Sequence, residues 1–278
     1  MKNIDLHTHS RASDGTLSPT ELVEYAAQKQ LAAIALTDHD TLDGIKEAKA
    51  AGERFGIRVI SGAEFSAVYE NISLHIIGLF LPEDSAEINE RLAYLKNARL
   101  TRNEKMLKNL AEEGVDITME ELKTAFPDRI ISRAHMAQLM QQKGYVGSKN
   151  EAFDRYIGDR CRAYVHKESL TPQETIRLIK NAGGVAVWAH PLLCKLSDKN
   201  LKKMTGILKG YGLDAIEAYY SSHTPSDTKY VKTIAQQYGL KLSGGSDFHG
   251  SIKPGLDLGT GYGKLEVPYE VLERLEMR

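Results

Sequence analysis

Cysteine is scarce in this chain. The two residues, Cys161 and Cys194, lie far apart and form no CxxC pair. That spacing argues against a thiolate metal site or a disulfide framework and reads as reduced bystander thiols. An excess of charge of one sign is also missing. Lys and Arg number 36 against 37 Asp and Glu, a formal net charge of -1. No global field draws the molecule to nucleic acid or an anionic membrane, so any anion must be bound locally. No apolar run approaches the ~20 residues of a membrane span, and the opening turns polar at Asp5 without the apolar core of a secretion signal. Internal repeats and low-complexity tracts are absent. These absences lead us to expect a cytoplasmic globular protein, with 278 residues enough for one large α/β domain or a domain carrying an insertion.

What the chain does have is histidine in telling places. The opening "DLHTHSRASDG" puts His7, His9 and Asp14 within eight positions. On a strand, residues i and i+2 face the same side, so His7 and His9 can approach one point together. Further on, "SPTELVEYAAQKQ", "TPQETIRLIKNAGG" and "TPSDTKYVKTIAQQYG" carry the same start signal: Ser18, Thr171 or Thr224 as cap, a following proline, and Glu21, Glu174 or Asp227 to complete a capping box. Gly183 and Gly239 supply stops. After each such helix comes an apolar run: "LAAIALTDHD", "GVAVWAH" and "LKLSGGSDFH", with "IRVISGAEFS" and "DAIEAYY" between them. These runs are continuous rather than alternating, which predicts parallel strands covered on both faces and hence a parallel sheet or barrel. They end on metal-competent groups: His7 and His9, then Asp38, His39 and Asp40, then Glu64, His190, and Asp247 with His249, while "LHIIGLFL" carries His75. In an α/β barrel the C-terminal strand ends converge on one site whatever their separation in sequence. One such residue is weak evidence; the repeated placement predicts a metal cluster.

Together, "DLHTHSRASDGTLSP", "ALTDHDT", "GAEFS", "LHIIGLF", "AHP" and "GSDFH" resemble the polymerase and histidinol phosphatase (PHP) family of metal-dependent phosphoesterases, over nearly the whole chain. The resemblance implies a distorted seven-stranded (β/α)7 TIM-like barrel with an all-helical insertion, holding two or three divalent ions. Carried over, it makes His7, His9, Glu64 and Asp247 ligands of one metal and Asp14, His39 and His249 of a second. Glu64 would bridge to a third held by His75 and His190. With no expected ligand missing, an enzyme is favoured over a non-catalytic metal-binding regulatory module. Independently of the family, imidazoles and carboxylates without thiolate suit Mn²⁺, Fe²⁺ or Zn²⁺ better than Ca²⁺ or Mg²⁺. Paired ions of that kind activate a water for in-line attack on a phosphomonoester. Ser10, Thr37 and Ser246 read as supporting or backbone-capping groups rather than nucleophiles. Asp38 and Asp40 read as carboxylates that orient a metal-bound imidazole. Amidohydrolase chemistry is disfavoured because no barrel run ends on a lysine.

Strand and helix alternation stops between Pro82 and Tyr164, where "AEINERLAYLKNARLTRNEKMLKNLAEEG", "MEELKTAF", "SRAHMAQLMQQKG" and "SKNEAFDRYIG" read as successive amphipathic helices, Ser132 and Ser148 acting as caps. The expected division is therefore a barrel from residues 1–81 and 164–278 with a helical insertion over 82–163. The insertion carries 14 basic and 14 acidic residues from Glu83 to Arg162, so it is no basic platform for long nucleic acid. A lid over a small substrate fits this balance better, and a structural brace is the alternative. Arg133 at an inserted helix start and His223 in the loop after the sixth barrel strand are the candidate catalytic and substrate-binding groups, with Lys195 a further substrate-binding candidate. His135 and His166 end no barrel strand and read as structural. The pattern "ISRAHMAQLMQQKGYV...AFDRYIGDRCRAYV" resembles the branch that removes the 3′-phosphate of nucleoside 3′,5′-bisphosphates, some members of which trim short RNA from its 5′ end. The expected partner is a nucleotide or short oligonucleotide, and histidinol phosphate is the alternative substrate.

Overall fold

The computed structural model describes residues 2–127, 131–166 and 168–277. Seven strands form one sheet in sequence order: β1 (Ile4–Thr8), β2 (Ala33–Leu36), β3 (Arg58–Tyr69), β4 (Ile72–Leu79), β5 (Val185–Trp188), β6 (Ala215–Tyr220) and β7 (Lys241–Gly245). The sheet curls until its ends meet. His9 N donates to Phe248 O at 2.9 Å and Asp247 N to His7 O at 2.8 Å, carrying hydrogen bonding from the end of β7 back to β1. The interior is filled by small and branched side chains, among them Ile4, Leu6, Ala33, Ala35, Val185, Val187 and Ala215.

The expectation of uniformly parallel strands fails at one place. β4 runs antiparallel to both neighbours, pairing Tyr69 with Ile72 through Glu64 with Ile77 on one side and Ile76 with Trp188 on the other. Only Glu70 and Asn71 separate β3 from β4, and two residues allow a hairpin but no crossover helix. Glu70 takes a φ of 52° to make that turn. The reversal brings the first half of β4 beside the last half of β3, so His75 sits opposite Ser66 and close to Glu64.

The helices start where their caps predict. α1 (Pro19–Gln28), α7 (Pro172–Asn181) and α9 (Pro225–Gln237) each have a complete capping box, from Ser18 with Glu21, Thr171 with Glu174, and Thr224 with Asp227. α2 (Ile45–Phe55), α8 (Asp198–Gly210) and α10 (Tyr269–Glu276) complete the set around the strands. The stops hold as well, with Gly183 and Gly239 at φ of 72° and 60°.

The chain divides into two compact units. One takes residues up to Glu90 and from Ser169 onward; the other runs from Arg91 to Glu168, the division falling within α3 (Ala86–Glu112). The second unit continues with α4 (Met119–Ala125), α5 (Arg133–Gln142) and α6 (Lys149–Ala152), around its own core of Met106, Leu110, Leu122, Met136, Met140 and Ile157. The helix expected through "SKNEAFDRYIG" changes character after Ala152: Phe153–Ile157 is a π-helical turn. Ser148 Oγ accepts from Glu151 N at 3.1 Å as a cap, and at Ser132 the backbone N–H donates to His135 Nδ1 at 3.1 Å. Among the described residues no helix is long and apolar enough to cross a membrane. Cys161 and Cys194 are free thiols.

Candidate metal centre

The C-terminal end of β1 begins the site. His7 and His9 point the same way, their ring centroids 5.2 Å apart. Glu64, from the middle of β3, lies at the centre of what surrounds them. Its Oε1 is 2.9 Å from both His75 Nδ1 and His190 Nε2. Its Oε2 faces His7 Nε2 at 3.3 Å, His9 Nε2 at 3.3 Å and His39 Nδ1 at 3.2 Å. Asp247 Oδ1 adds a second carboxylate oxygen, 3.3 Å from His9 Nε2 and 3.6 Å from His7 Nε2. On the far side of His9, Asp14 Oδ1 meets His249 Nε2 at 3.3 Å.

Four groups have donor atoms within 4.8 Å of one another: His9, Asp14, His39 and His249; His7, Glu64 and His190; His7, His9 and Asp247; and His39, Glu64 and His75. Each of the nine sequence-predicted ligand positions falls in at least one group. The grouping differs from the expected one: His9 also joins Asp14, His39 and His249, Glu64 stands apart from the His7, His9 and Asp247 group, and the expected third set is divided. His75 and His190 share Glu64 Oε1, yet His75 clusters with His39 and His190 with His7.

Hydrogen bonds set which nitrogen faces inward. His7 Nδ1 lies 3.0 Å from Glu217 Oε1 and donates to it, which turns Nε2 toward Glu64 and Asp247. His249 Nδ1 donates to Asp247 O at 2.8 Å, leaving Nε2 for the Asp14 side. Asp247 divides its two oxygens: Oδ2 accepts from Tyr220 Oη at 2.8 Å and Lys253 Nζ at 2.6 Å, and Oδ1 is left to the imidazoles. Backbone strain gathers here too. Asp40, His190 and Asp247, at the ends of three barrel strands, have φ of 51°, 29° and 57°, a conformation that costs a non-glycine residue about 1–3 kcal/mol and persists where surrounding structure enforces it.

The electrostatics are those of a crowded acid and imidazole cluster. Burial would lower the His7 pKa, but Glu217, Glu64 and Asp247 outweigh it and raise it well above the imidazole range. Burial of His9 is likewise overcome by Asp247 and Glu64, which bring it to about 9. His39, where burial prevails, falls to about 3. Burial also works against ionisation of Glu64, Asp247 and Asp14, yet the imidazoles hold all three well below the carboxylate range. Buried atoms nevertheless go unsatisfied: His7 Nε2, both His9 nitrogens, Glu64 Oε2 and His190 Nδ1 have no hydrogen-bond partner. Such atoms cost about 1–3 kcal/mol each unless something fills the space between them. Inward lone pairs of imidazole and carboxylate, with no thiolate, fit divalent ions of borderline softness.

One expected role moves to another residue. Asp38 does not orient an imidazole. It accepts from Ser10 N, Ser10 Oγ and Ser13 Oγ at 2.7, 2.6 and 2.5 Å, fixing the loop after β1. Asp40 accepts from Ser66 N at 3.0 Å and Ser66 Oγ at 3.3 Å, tying the end of β2 to β3. A carboxylate that does orient an imidazole is Glu217, wholly buried in β6, which besides His7 Nδ1 holds the backbone N–H of His190 at 2.7 Å. Sequence reading passed over Glu217 and Lys253. The acid at the centre of the run "DAIEAYY", Glu217, was the available signal, since a buried charge requires a partner. Thr37 Oγ1 accepts from Thr8 N at 3.1 Å and donates to Thr8 O, a backbone-capping role as expected.

The substrate-contact candidates are placed as follows. His223 Nδ1 donates to Ala218 O at 3.0 Å, its ring 5.4 Å from that of Tyr220, and its buried Nε2 is without a partner. Lys195 closes the short 3-10 turn Pro191–Cys194 after His190, at φ 50°. Arg133 is the first residue of α5 in the inserted unit, its Nη1 donating to Asp159 Oδ1 at 2.6 Å and Ile157 O at 3.2 Å. His135 caps α5 and stacks on Phe126, a structural role as expected.

The profile of the PHP domain matches residues 5–185. The chain belongs to the PHP domain family. This PHP domain is 36% identical over 248 residues to a 5′-3′ exoribonuclease of Haemophilus influenzae, covering 89% of this chain and 90% of the relative. It is 33% identical over 260 residues to a 3′,5′-nucleoside bisphosphate phosphatase of Chromobacterium violaceum, covering 93% and 91%. Among solved structures, an amidohydrolase from Chromobacterium violaceum with bound sulfate and no metal superposes with a TM-score of 0.84 at 32% identity, over 99% of this chain and 96% of that one.

Proposed function

We propose that this PHP domain is a metal-dependent phosphoester hydrolase that removes the 3′-phosphate of nucleoside 3′,5′-bisphosphates and releases nucleotides from the 5′ end of short oligoribonucleotides. The carrying observation is Glu64, whose two buried oxygens are ringed by five imidazole nitrogens with several inward atoms unsatisfied. In this reading His7, His9, Glu64 and Asp247 hold one ion, and Asp14, His39 and His249 a second. Glu64 also lies in the groups with His39 and His75 and with His7 and His190, where a further ion would be held. Bound divalent ions at such donors supply an activated water and neutralise phosphoryl charge. The relatives named as exoribonuclease and bisphosphate phosphatase support this substrate class, and the sulfate in the related structure is a tetrahedral dianion like phosphate.

The chain's own groups take the remaining roles. Arg133 binds a phosphate oxygen, its guanidinium held by Asp159 and by Phe153 and Tyr164, whose ring centroids lie 5.7 and 5.1 Å from its carbon. His223, with Nδ1 committed to a carbonyl, presents Nε2 to bind the phosphate or protonate the leaving oxygen. Lys195 adds a cation beyond β5. The test is phosphate release with Mn²⁺ from adenosine 3′,5′-bisphosphate and histidinol phosphate side by side. The expected result is kcat/KM at least about tenfold higher for the bisphosphate, a transition-state difference of about 1.4 kcal/mol. Equal or faster turnover of histidinol phosphate overturns the substrate assignment.

A further inference from the structure

Beside the cluster, at the end of β6 and the start of α9, lies a cavity of about 560 Å³, within the size range of small-molecule sites. Tyr220 on its wall reaches the metal centre through its hydrogen bond to Asp247 Oδ2, and His223 lines the cavity with its ring 5.4 Å from that of Tyr220. Its other walls carry Lys229, Lys232 and Lys264 against one carboxylate, Glu266. That local excess of cations is notable in a chain whose formal net charge is -1. Lys232 lies 4.2 Å over the Tyr219 ring, and none of the three ammonium groups has a carboxylate partner among the described residues. Tyr262, also on the wall, is 56% exposed, an aromatic face offered to solvent. Unpaired cations beside an open aromatic ring are the features that hold single-stranded nucleic acid, through phosphate contacts and base stacking.

The chemistry of the proposed reaction on RNA requires room for a further nucleotide beside the scissile phosphate. In a nucleoside 3′,5′-bisphosphate, water adds to the 3′-phosphorus, the P–O3′ bond breaks, and the 3′-oxygen takes a proton. In an oligoribonucleotide the same bond breaks next to the first nucleotide, which leaves as a 5′-monophosphate with a free 3′-hydroxyl. The phosphate stays on the shortened chain as its new 5′-phosphate. The two substrates differ only in what hangs from the attacked phosphorus: an oxygen in one, the next nucleotide in the other.

We propose that the cavity formed by Tyr220, His223, Lys229, Lys232, Lys264 and Tyr262 is the subsite for the nucleotide on the 3′ side of the scissile phosphate, and so adapts this bisphosphatase site to short RNA. The inference rests on the function proposed above. Tyr262 stacks the base, and the lysines take the phosphate that follows it.

The test compares wild type with the Lys229→Ala/Lys264→Ala double variant and with Tyr262→Ala. With metal-loaded protein, kcat and KM are measured on adenosine 3′,5′-bisphosphate and on 5′-phosphorylated hexa-adenylate. In parallel, the affinity for a 3′-labelled phosphorothioate hexa-adenylate is read by fluorescence anisotropy across a salt series. Both variants are expected to raise the hexamer KM at least tenfold while leaving bisphosphate kcat/KM within twofold of wild type. In the double variant the salt slope should become shallower by about 0.7 for each phosphate that a lysine no longer neutralises. An unchanged hexamer KM, or equal losses on both substrates, overturns the subsite. Should wild type hydrolyse neither substrate, the function reading fails, and the subsite is then judged by anisotropy alone, where equal hexamer affinity in wild type and variants overturns it.

Discussion

At the scale of single residues, the site depends on groups that touch its imidazoles as much as on the imidazoles themselves. Glu217 holds the His7 ring through Nδ1 and the turn carrying His190 through its backbone N–H. Loss of a carboxylate that orients a ligating imidazole typically weakens metal binding about 10–100-fold. Glu217→Gln is therefore expected to lower Mn²⁺ affinity by that factor in a chelator competition titration, with a near-native circular dichroism spectrum; unchanged affinity would remove Glu217 from this role. Asp247 has its Oδ2 committed to Tyr220 and Lys253, so Oδ1 is the oxygen it turns to the imidazoles. If Asp247 holds an ion as proposed, Asp247→Ala should cut kcat at least about 100-fold, because charge neutralisation at the phosphoryl group would depend on that ion. Turnover at the wild-type rate would exclude it from the site.

At the scale of elements, helix starts were legible because their signals are local. A cap, a proline and an acid three residues after the cap act within one turn, and α1, α7 and α9 begin where those signals place them. Thr171→Ala should cost about 0.5–2 kcal/mol, the usual value of a lost cap. The expected sign is a lower midpoint in thermal unfolding with kcat/KM unchanged, and an unaltered midpoint would mean that the α7 cap adds nothing. Strand direction was less legible, because "LHIIGLFL" is equally apolar read either way. The two-residue link at Glu70 and Asn71 settles it, and that link places His75 at the cluster. Barrel closure has its own constraint at Gly245, where a Cβ would stand 2.4 Å from His7 N and Cβ. Gly245→Ala is expected to destabilise by about 1–3 kcal/mol, as overpacking does, and to lower bound metal per chain by elemental analysis. Full metal loading and a wild-type midpoint would show that β1 can give way there.

At the scale of the whole molecule, the cluster links metal binding to stability. A ligand that binds only the folded chain, at a free concentration of 100 times its dissociation constant, adds about 2.7 kcal/mol. Adding Mn²⁺ to chelated protein should raise the calorimetric midpoint by at least about 5 °C for a chain of this size and restore phosphatase activity. A midpoint indifferent to metal would contradict the cluster. Much of this molecule can be read from the chain alone: the residue types of the candidate metal donors, the capped helices, the strand runs and the neutral helical insertion, all properties of short segments. Other features came from tertiary structure, namely Glu64 at the centre of five imidazole nitrogens, the Glu217 contact to a histidine 210 positions away, the shared oxygens of Asp247, and the lysine-lined cavity beside β6. The reason is geometric. A linear pattern says which side of a strand a residue faces, but which donors meet is set by strand order, tilt and register once the sheet closes on itself.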